Sequence, residues 1–175
     1  MGLHSRPLWV VVALAPALAL TPVAAGAADT ISTASLTARF ADRQITPDQT
    51  SVLTFTITNN EPRPMSGLGF QQPMPKDLDV SSYGLRKNCG APTVTGVRTL
   101  KVAGITVAPN TVCTIEVVML PAAEGLFEVS PAKDAAVTGD LIPGQGDVLR
   151  VRTEKPCPES MALLCAVGVA PTAPN

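Results

Sequence analysis

The stretch Ser51–Asn60, which reads SVLTFTITNN, constrains the fold more than any other part of this chain. Leu53, Phe55 and Ile57 alternate in it with threonines, a period of two that is typical of a β-strand with one face in an apolar core and the other in water. Thr111–Leu120 (TVCTIEVVML) repeats the alternation. We expect the two strands to be partners that face each other across the core of an antiparallel sandwich.

Prolines and glycines separate the other apolar runs. The sequence contains 17 Pro and 13 Gly, and the runs recur about every 8–14 residues with little helical periodicity, which predicts an all-β sandwich. The further predicted strands are Ser35–Phe40, Leu78–Tyr83, Val97–Val102, Gly125–Val129 and Val148–Thr153.

The first 27 residues have the pattern of a Sec-type signal peptide. A positively charged start containing Arg6 precedes the apolar run Leu8–Leu20, and Ala25–Ala27 supplies small residues for cleavage. We expect cleavage after Ala27, with Ala28 as the alternative, and no membrane span in the mature protein. The expected localisation is secreted, periplasmic or at the cell surface.

The predicted mature chain lacks two residue types that functional sites often use. His4 and Trp9 are the only His and Trp, and both precede the cleavage point. Without His, neither a Ser/His/Asp triad nor the usual His-based zinc site is available. After removal of Arg6, 12 Lys and Arg face 14 Asp and Glu, so no basic surface for nucleic acid is expected. We therefore expect no enzyme, cofactor or metal.

Paired carboxylates are the remaining route to catalysis or to a calcium site. Asp77 and Asp79 are two residues apart, and Asp140 and Asp147 flank a glycine-rich loop. Such pairs are more often solvated turn residues, and no EF-hand-like series of ligands appears. A small secreted hydrolase built on them is the least favoured function.

Four cysteines follow the signal peptide, as in proteins of oxidising compartments, where disulfides persist. Four cysteines allow three pairings. We predict one domain at residues 28–153 and a Pro- and Ala-rich tail at 154–175 that contains Cys157 and Cys165. These two could close a loop worth roughly 2.5 kcal/mol, or one of them could pair with another chain.

Five segments follow one another in a recognisable order: SVLTFTITNN, GLGFQQPMPKDLDV, NCG, AGITVAPNTVCTIEVVM and EGLFEV. This order resembles a bacterial Ig-like "conserved repeat" module of surface and secreted proteins, of the domain-of-unknown-function-eleven type in its two-cysteine variant. The resemblance covers about Ser35–Val129 and implies an Ig-like antiparallel β-sandwich. It also implies a disulfide between Cys89 and Cys113, whose loop would be worth roughly 3.5 kcal/mol.

Three positions depart from that family's pattern. Relatives commonly have an acidic residue where Gln72 stands, a glycine near Asp77 and an asparagine where Val129 stands. The resemblance therefore does not extend to a cation site or an isopeptide bond that would use those polar positions.

These observations predict an exported, non-catalytic module with a structural or binding role at the bacterial cell envelope. Its expected partner is an unidentified envelope or extracellular protein. The alternative is a pilin-like subunit of a surface polymer that assembles by strand addition at an exposed edge. Because the strands form the core, binding chemistry should lie in loops, and we expect it at Asn60–Met65, Lys87–Pro92 and Leu141–Asp147.

We predict two intramolecular disulfides and no free thiol in the mature protein, because the export signal and the even number of cysteines both favour full pairing. The intact mass should rise on reduction by the mass of four hydrogens. A thiol that can be alkylated in the denatured, unreduced protein would contradict the prediction.

Overall fold

The computed structural model describes residues 33–153, which form twelve β-strands and one short helix. The elements are β1 (Ala34–Phe40), β2 (Gln44–Ile45), β3 (Ser51–Asn59), β4 (Met65–Pro73), β5 (Leu78–Lys87), β6 (Thr93–Thr95), β7 (Thr99–Val107), β8 (Thr111–Pro121), β9 (Gly125–Val129), α1 (Pro131–Asp134), β10 (Ala136–Thr138), β11 (Leu141–Pro143) and β12 (Asp147–Val151). In this part of the chain no helix is long and apolar enough to cross a membrane. The predicted signal peptide and tail, with Cys157 and Cys165, lie outside the described residues.

The strands form three sheets. Their orders are β11-β1-β3-β8-β5, β10-β4-β7-β6 and β2-β12-β9. All neighbouring strands are antiparallel except the pairs β1–β11 and β2–β12. The rings of Phe55 on β3 and Phe70 on β4 meet with their centroids 4.9 Å apart, which places the core between the first two sheets. The predicted antiparallel β-sandwich is confirmed.

The expectation that the two alternating strands face each other across the core is wrong. β3 and β8 are neighbours in one sheet, where Leu53 lies opposite Val117 and Phe55 opposite Ile115. All four side chains are buried. Alternation shows only that a strand has one buried face, and it says nothing about which sheet holds the strand. The strands β4 and β7 supply the other side of the core.

The predicted loop Leu141–Asp147 is not a loop along its whole length. Its first three residues form β11, which pairs with β1 in parallel. Beyond β11, the N–H of Gly144 donates to the carbonyl of Leu36 at 2.7 Å, so the segment continues along the sheet edge. Pro143 is tolerated because an edge strand needs hydrogen bonds on one side only.

Two other predicted boundaries are also wrong. The strand predicted at Val97–Val102 lies at Thr99–Val107, and β5 continues to Lys87 instead of ending at Tyr83. Gly104, with φ +75°, lies within β7 beside a register shift in its pairing with β4. Glycine inside a strand commonly marks such an irregularity. Here it interrupts the alternation of apolar and polar residues, so the sequence pattern did not extend the predicted strand as far as Val107.

Asp147 fastens the start of β12 to the end of β1. Its Oδ2 accepts hydrogen bonds from the backbone N–H of Phe40 and from Nε of Arg43, both at 3.1 Å, and its Oδ1 accepts from the N–H of Val148 at 2.9 Å. Burial raises the pKa of Asp147, but these hydrogen bonds and the Arg43 charge outweigh it and hold the pKa below its ordinary value.

We predict that Asp147→Asn lowers the free energy of unfolding at pH 7 by about 1–2 kcal/mol, because it weakens charge-assisted hydrogen bonds. Since the folded-state pKa is lowered, the contribution is fully present above about pH 4 and is lost as the pH falls through the folded pKa. Urea unfolding from pH 7 to pH 2 measures it. The exposed Asp48→Asn variant is the control, and an equal, pH-independent effect of both variants would contradict the prediction.

Candidate functional site

Four connections meet at one end of the sandwich: residues 60–64, 88–92, 108–110 and 139–140. We call this surface the loop end. The pairing of β8 with its two neighbours brings the first three connections together. Asn59 at the end of β3 lies opposite Thr111 at the start of β8, and Lys87 at the end of β5 lies opposite Thr114 of β8. The carbonyl of Asp140 accepts a hydrogen bond from the first residue of β1 at 2.8 Å, which brings the fourth connection alongside. Two of the three predicted binding loops therefore share one surface, whereas Leu141–Asp147 runs away from it along β1.

The side chain of Asn59 links two of these connections. It is fully buried. Its Nδ2 donates to the carbonyl oxygens of Arg63 at 2.9 Å, Ala108 at 3.0 Å and Val107 at 3.3 Å, and its Oδ1 accepts from the N–H of Glu61 at 2.9 Å. One amide group thereby links the β3–β4 and β7–β8 connections through four hydrogen bonds, of which the one to Val107 is fully buried.

The turn Asn-Cys-Gly holds the third connection. Asn88 and Gly90 have φ values of +56° and +69°, in the left-handed region that asparagine and glycine tolerate best. This turn directs Cys89 into the core, where it forms a disulfide with Cys113 of β8. The carbonyl of Cys89 accepts from the N–H of Thr106 on β7 at 3.0 Å. Cys89 therefore ties the turn to both large sheets.

The loop end presents polar side chains around a shallow depression. One depression of about 370 Å³ is lined by Arg63, Pro64, Met65, Ser66, Leu68 and Asp140. Arg63, Lys87 and Asp140 are exposed and carry charges of both signs. Small-molecule sites are usually concave and mostly apolar, whereas the lining of this depression includes the charged side chains of Arg63 and Asp140.

The members of the predicted carboxylate pairs lie apart from each other or are bonded to other residues. Asp140 lies beside the first residue of β1 and Asp147 is bonded to the last one. Oδ1 of Asp79 lies 3.1 Å from Nε of Arg98, and Asp77 has φ +64° in a turn at the opposite end of the sandwich. Glycine adopts such a left-handed φ more readily than other residues do. Within residues 33–153, no three His, Cys, Asp or Glu side chains are placed to hold a metal.

Gln72, another departure from the family's pattern, is fully buried. Its Nε2 donates to the carbonyl of Pro73 at 3.0 Å, and its Oε1 has no partner among the described residues. A carboxylate here would be a buried charge without compensation, which costs much more than an amide. The neutral side chain therefore fits this core.

Sequence reasoning missed the roles of Asn59 and Asp147. A usable signal existed for Asn59, because it continues the inward phase of Leu53, Phe55 and Ile57. A polar residue in the buried phase of a strand requires hydrogen-bond partners. No comparable pattern marked Asp147, whose partners lie more than 100 residues away.

Comparison with known protein families identifies the domain. A family model described as "Domain of unknown function (DUF7933)" matches residues 34–138, from β1 to β10. The chain belongs to this family. The match does not identify the domain-of-unknown-function-eleven repeat specifically. No curated protein matches the sequence significantly.

Several solved structures show a weak likeness to this fold. A non-cellulosomal cohesin from the hyperthermophilic archaeon Archaeoglobus fulgidus is 9% identical, with 70% of this chain and 93% of the cohesin covered and a TM-score of 0.47. For BslA, a bacterial hydrophobin, the identity is 13%, the coverage 70% and 97%, and the TM-score 0.39. The DNA glycosylase AlkC from Pseudomonas fluorescens is 14% identical, and the coverage is 70% of this chain but 31% of AlkC, with a TM-score of 0.41.

We predict that Asn59→Ala lowers the free energy of unfolding by about 2–4 kcal/mol, because a fully buried side chain and its four hydrogen bonds are lost. Asn60→Ala changes the same residue type at the exposed next position and should change it by less than about 0.5 kcal/mol. Urea unfolding of both variants measures the difference. Equal stability of the two variants would show that the Asn59 network does not stabilise the loop end.

Proposed function

We propose that this chain is an exported, non-catalytic sandwich module that uses its loop end to bind a protein partner at the bacterial cell envelope. The observation that carries the proposal is the way the loop end is held. Asn59 and Cys89 anchor three connections to the core, while charged side chains such as Arg63 and Lys87 stay exposed. A surface ordered before binding loses less conformational entropy when a partner docks.

Export is supported by two independent features. The buried Cys89–Cys113 disulfide joins the connection after β5 to β8, and such bonds persist in oxidising compartments but are rare in the cytosol. The first 27 residues have the charge, apolar run and small residues of a signal peptide. Together the two features support a secreted, periplasmic or cell-surface location.

We further propose that the domain is related to the domain-of-unknown-function-eleven type of conserved repeat. The support is local. The segment NCG forms the left-handed turn that carries Cys89, and the threonine-rich strand ends on the buried Asn59. These motifs therefore have structural roles of the kind that a shared fold would preserve.

A second candidate function, strand addition in a pilin-like polymer, is favoured by β5. This ten-residue strand is the edge of the five-stranded sheet, and it exposes Tyr83 and Leu85. Extended peptides add to such edges through backbone hydrogen bonds. A ladder of bands on a non-reducing gel without boiling, lost on boiling, would favour this function over the first.

We predict that the loop end carries partner binding. The double variant Arg63→Ala/Lys87→Ala should retain an envelope protein at least about tenfold more weakly than the unchanged mature protein, as expected when two interface contacts are lost. The control, Lys76→Ala/Lys101→Ala, removes two exposed positive charges away from the loop end and should leave retention unchanged. The measurement compares binding of the same mass-identified protein to each immobilised variant. Equal retention by both double variants would overturn the assignment of the loop end.

A further inference from the structure

The turn between β6 and β7, residues 96–98, lies across the outer edge of β5. We call this turn the strap. The carbonyl oxygen of Val97 accepts a hydrogen bond from the N–H of Val80 at 3.4 Å, and the carbonyl oxygen of Gly96 accepts one from the hydroxyl of Tyr83 at 3.1 Å. The strap connects two strands of the four-stranded sheet, whereas β5 is the edge of the five-stranded sheet. It therefore closes the sandwich on this side.

The two ends of the strap are fixed in different ways. Gly96 has φ +96°, and a Cβ at this position would overlap the carbonyl oxygen of Thr99, so the turn requires glycine. At the other end, Nε of Arg98 lies 3.1 Å from Oδ1 of Asp79 on β5. The carbonyl oxygen of Arg98 also accepts a hydrogen bond from the N–H of Met74 at 2.9 Å.

The contacts between the strap and β5 are individually weak. The hydrogen bond to Val80 is longer than the usual range for N–H···O bonds. The side chain of Arg98 is 65% exposed, and an ion pair that is so exposed to water stabilises a structure little. Val97 is 53% exposed, so its apolar surface is only partly removed from water. Segments held in this way open locally without global unfolding.

The charges of β5 are arranged so that the strand is complementary to a second copy of itself. Asp79 lies opposite Leu120 of β8, and Lys87 lies opposite Thr114 of the same strand. These two β8 residues are an even number of positions apart, so Asp79 and Lys87 share the outer face of the sheet. An antiparallel pair of β5 strands centred on Tyr83 places Asp79 of each copy opposite Lys87 of the other. Opposite charges at such positions stabilise a strand pair.

Two register shifts in β5 preserve this arrangement. One lies between Val80 and Ser82, and the other between Tyr83 and Arg86. Each shift adds one residue to β5 relative to β8, so the two together leave both ends of the strand on their original face. Bulges of this kind bend an edge strand and help to protect it from other chains. The strap adds a second protection, because it occupies the N–H group of Val80.

We propose that the strap is an autoinhibitory cover of β5, and that its release allows β5 to pair antiparallel with β5 of a second copy of this chain. Two identical edges that pair about a two-fold axis close at a dimer, whereas a polymer needs a second kind of contact. The proposal therefore goes beyond both candidate functions and depends on neither.

The first test releases the strap and measures self-association of the mature protein by sedimentation velocity over a range of concentrations. Gly96→Ala introduces the overlap with Thr99 and should displace the strap. Its dimer dissociation constant should be at least about tenfold lower than that of the unchanged protein. In dilute, monomeric samples the amide of Val80 should exchange with solvent at least about tenfold faster in the variant, as measured by NMR. Buried β3 amides serve as the internal reference for an intact core.

A matched control separates release of the strap from backbone strain. Gly67 also has a positive φ, +70°, but a Cβ there would meet no atom within 4 Å. Gly67→Ala should leave both self-association and exchange at Val80 unchanged. A second variant, Tyr83→Phe/Arg98→Ala, removes the two side-chain contacts of the strap and leaves its turn intact. It should shift both measurements in the same direction as Gly96→Ala.

The outcomes distinguish the two parts of the proposal. Exchange at Val80 that is equal in the unchanged protein and in both strap variants would show that the strap does not cover β5. Faster exchange without dimers would overturn the pairing with a second copy. Adding Lys87→Glu to Gly96→Ala should weaken the dimer at least about tenfold, because Asp79 then faces a like charge. A dimer of unchanged strength would overturn the antiparallel register.

Discussion

Nine consecutive residue pairs between β3 and β8, from Ser51–Met119 to Asn59–Thr111, set the positions of the other elements. No bulge interrupts this ladder, so every second side chain of both strands enters the same core. β1 takes its register from one side of this pair, and β5 takes its register from the other. A shift of the register by one residue would turn Leu53 and Phe55 to solvent and bring threonines into the core, which would destabilise the fold.

The same ladder determines the geometry of the loop end. Ile57 lies opposite Cys113, and Asn59 ends the strand two residues later. The disulfide and the buried amide network therefore start from adjacent positions on the most constrained strands of the domain. Because both contacts begin in the packed core, they hold the connections in place. The exposed side chains of these connections can vary without disturbing the packing.

Closure at the sides of the sandwich depends on polar contacts between distant parts of the chain. Asp147 holds β12 to the end of β1, and Glu124 holds Thr153 to the start of β9. Both acidic side chains accept several hydrogen bonds, which favours their charged forms. Asp147 thus attaches the small sheet β2-β12-β9 to the large one by a charge-assisted bond from Phe40, in addition to apolar packing.

Local sequence determined the long strands of this protein. The alternating patterns of β1, β3, β8 and β9 are visible without a structure, because a half-buried strand must alternate and proline or glycine must end it. The two loops at Asn60–Met65 and Lys87–Pro92 could be located for the same reason. The short strands β2, β6, β10 and β11 carry too few residues to show a period, so their pairing is decided by the strand beside them.

Only the tertiary structure decided which strands share a sheet and which polar residues act together. The sequence pattern of a half-buried strand is the same whichever sheet holds it. For this reason β3 and β8 were expected to face each other across the core, although they are neighbours in one sheet. The amide of Asn59 serves connections that lie 4 and 49 residues away, and Asp147 bonds residues more than 100 positions earlier. Hydrogen bonds act over about 3 Å in space, whatever the separation of the two residues along the chain. The sequence pattern could therefore locate the strands, but only the fold could show which polar residues meet at the candidate site.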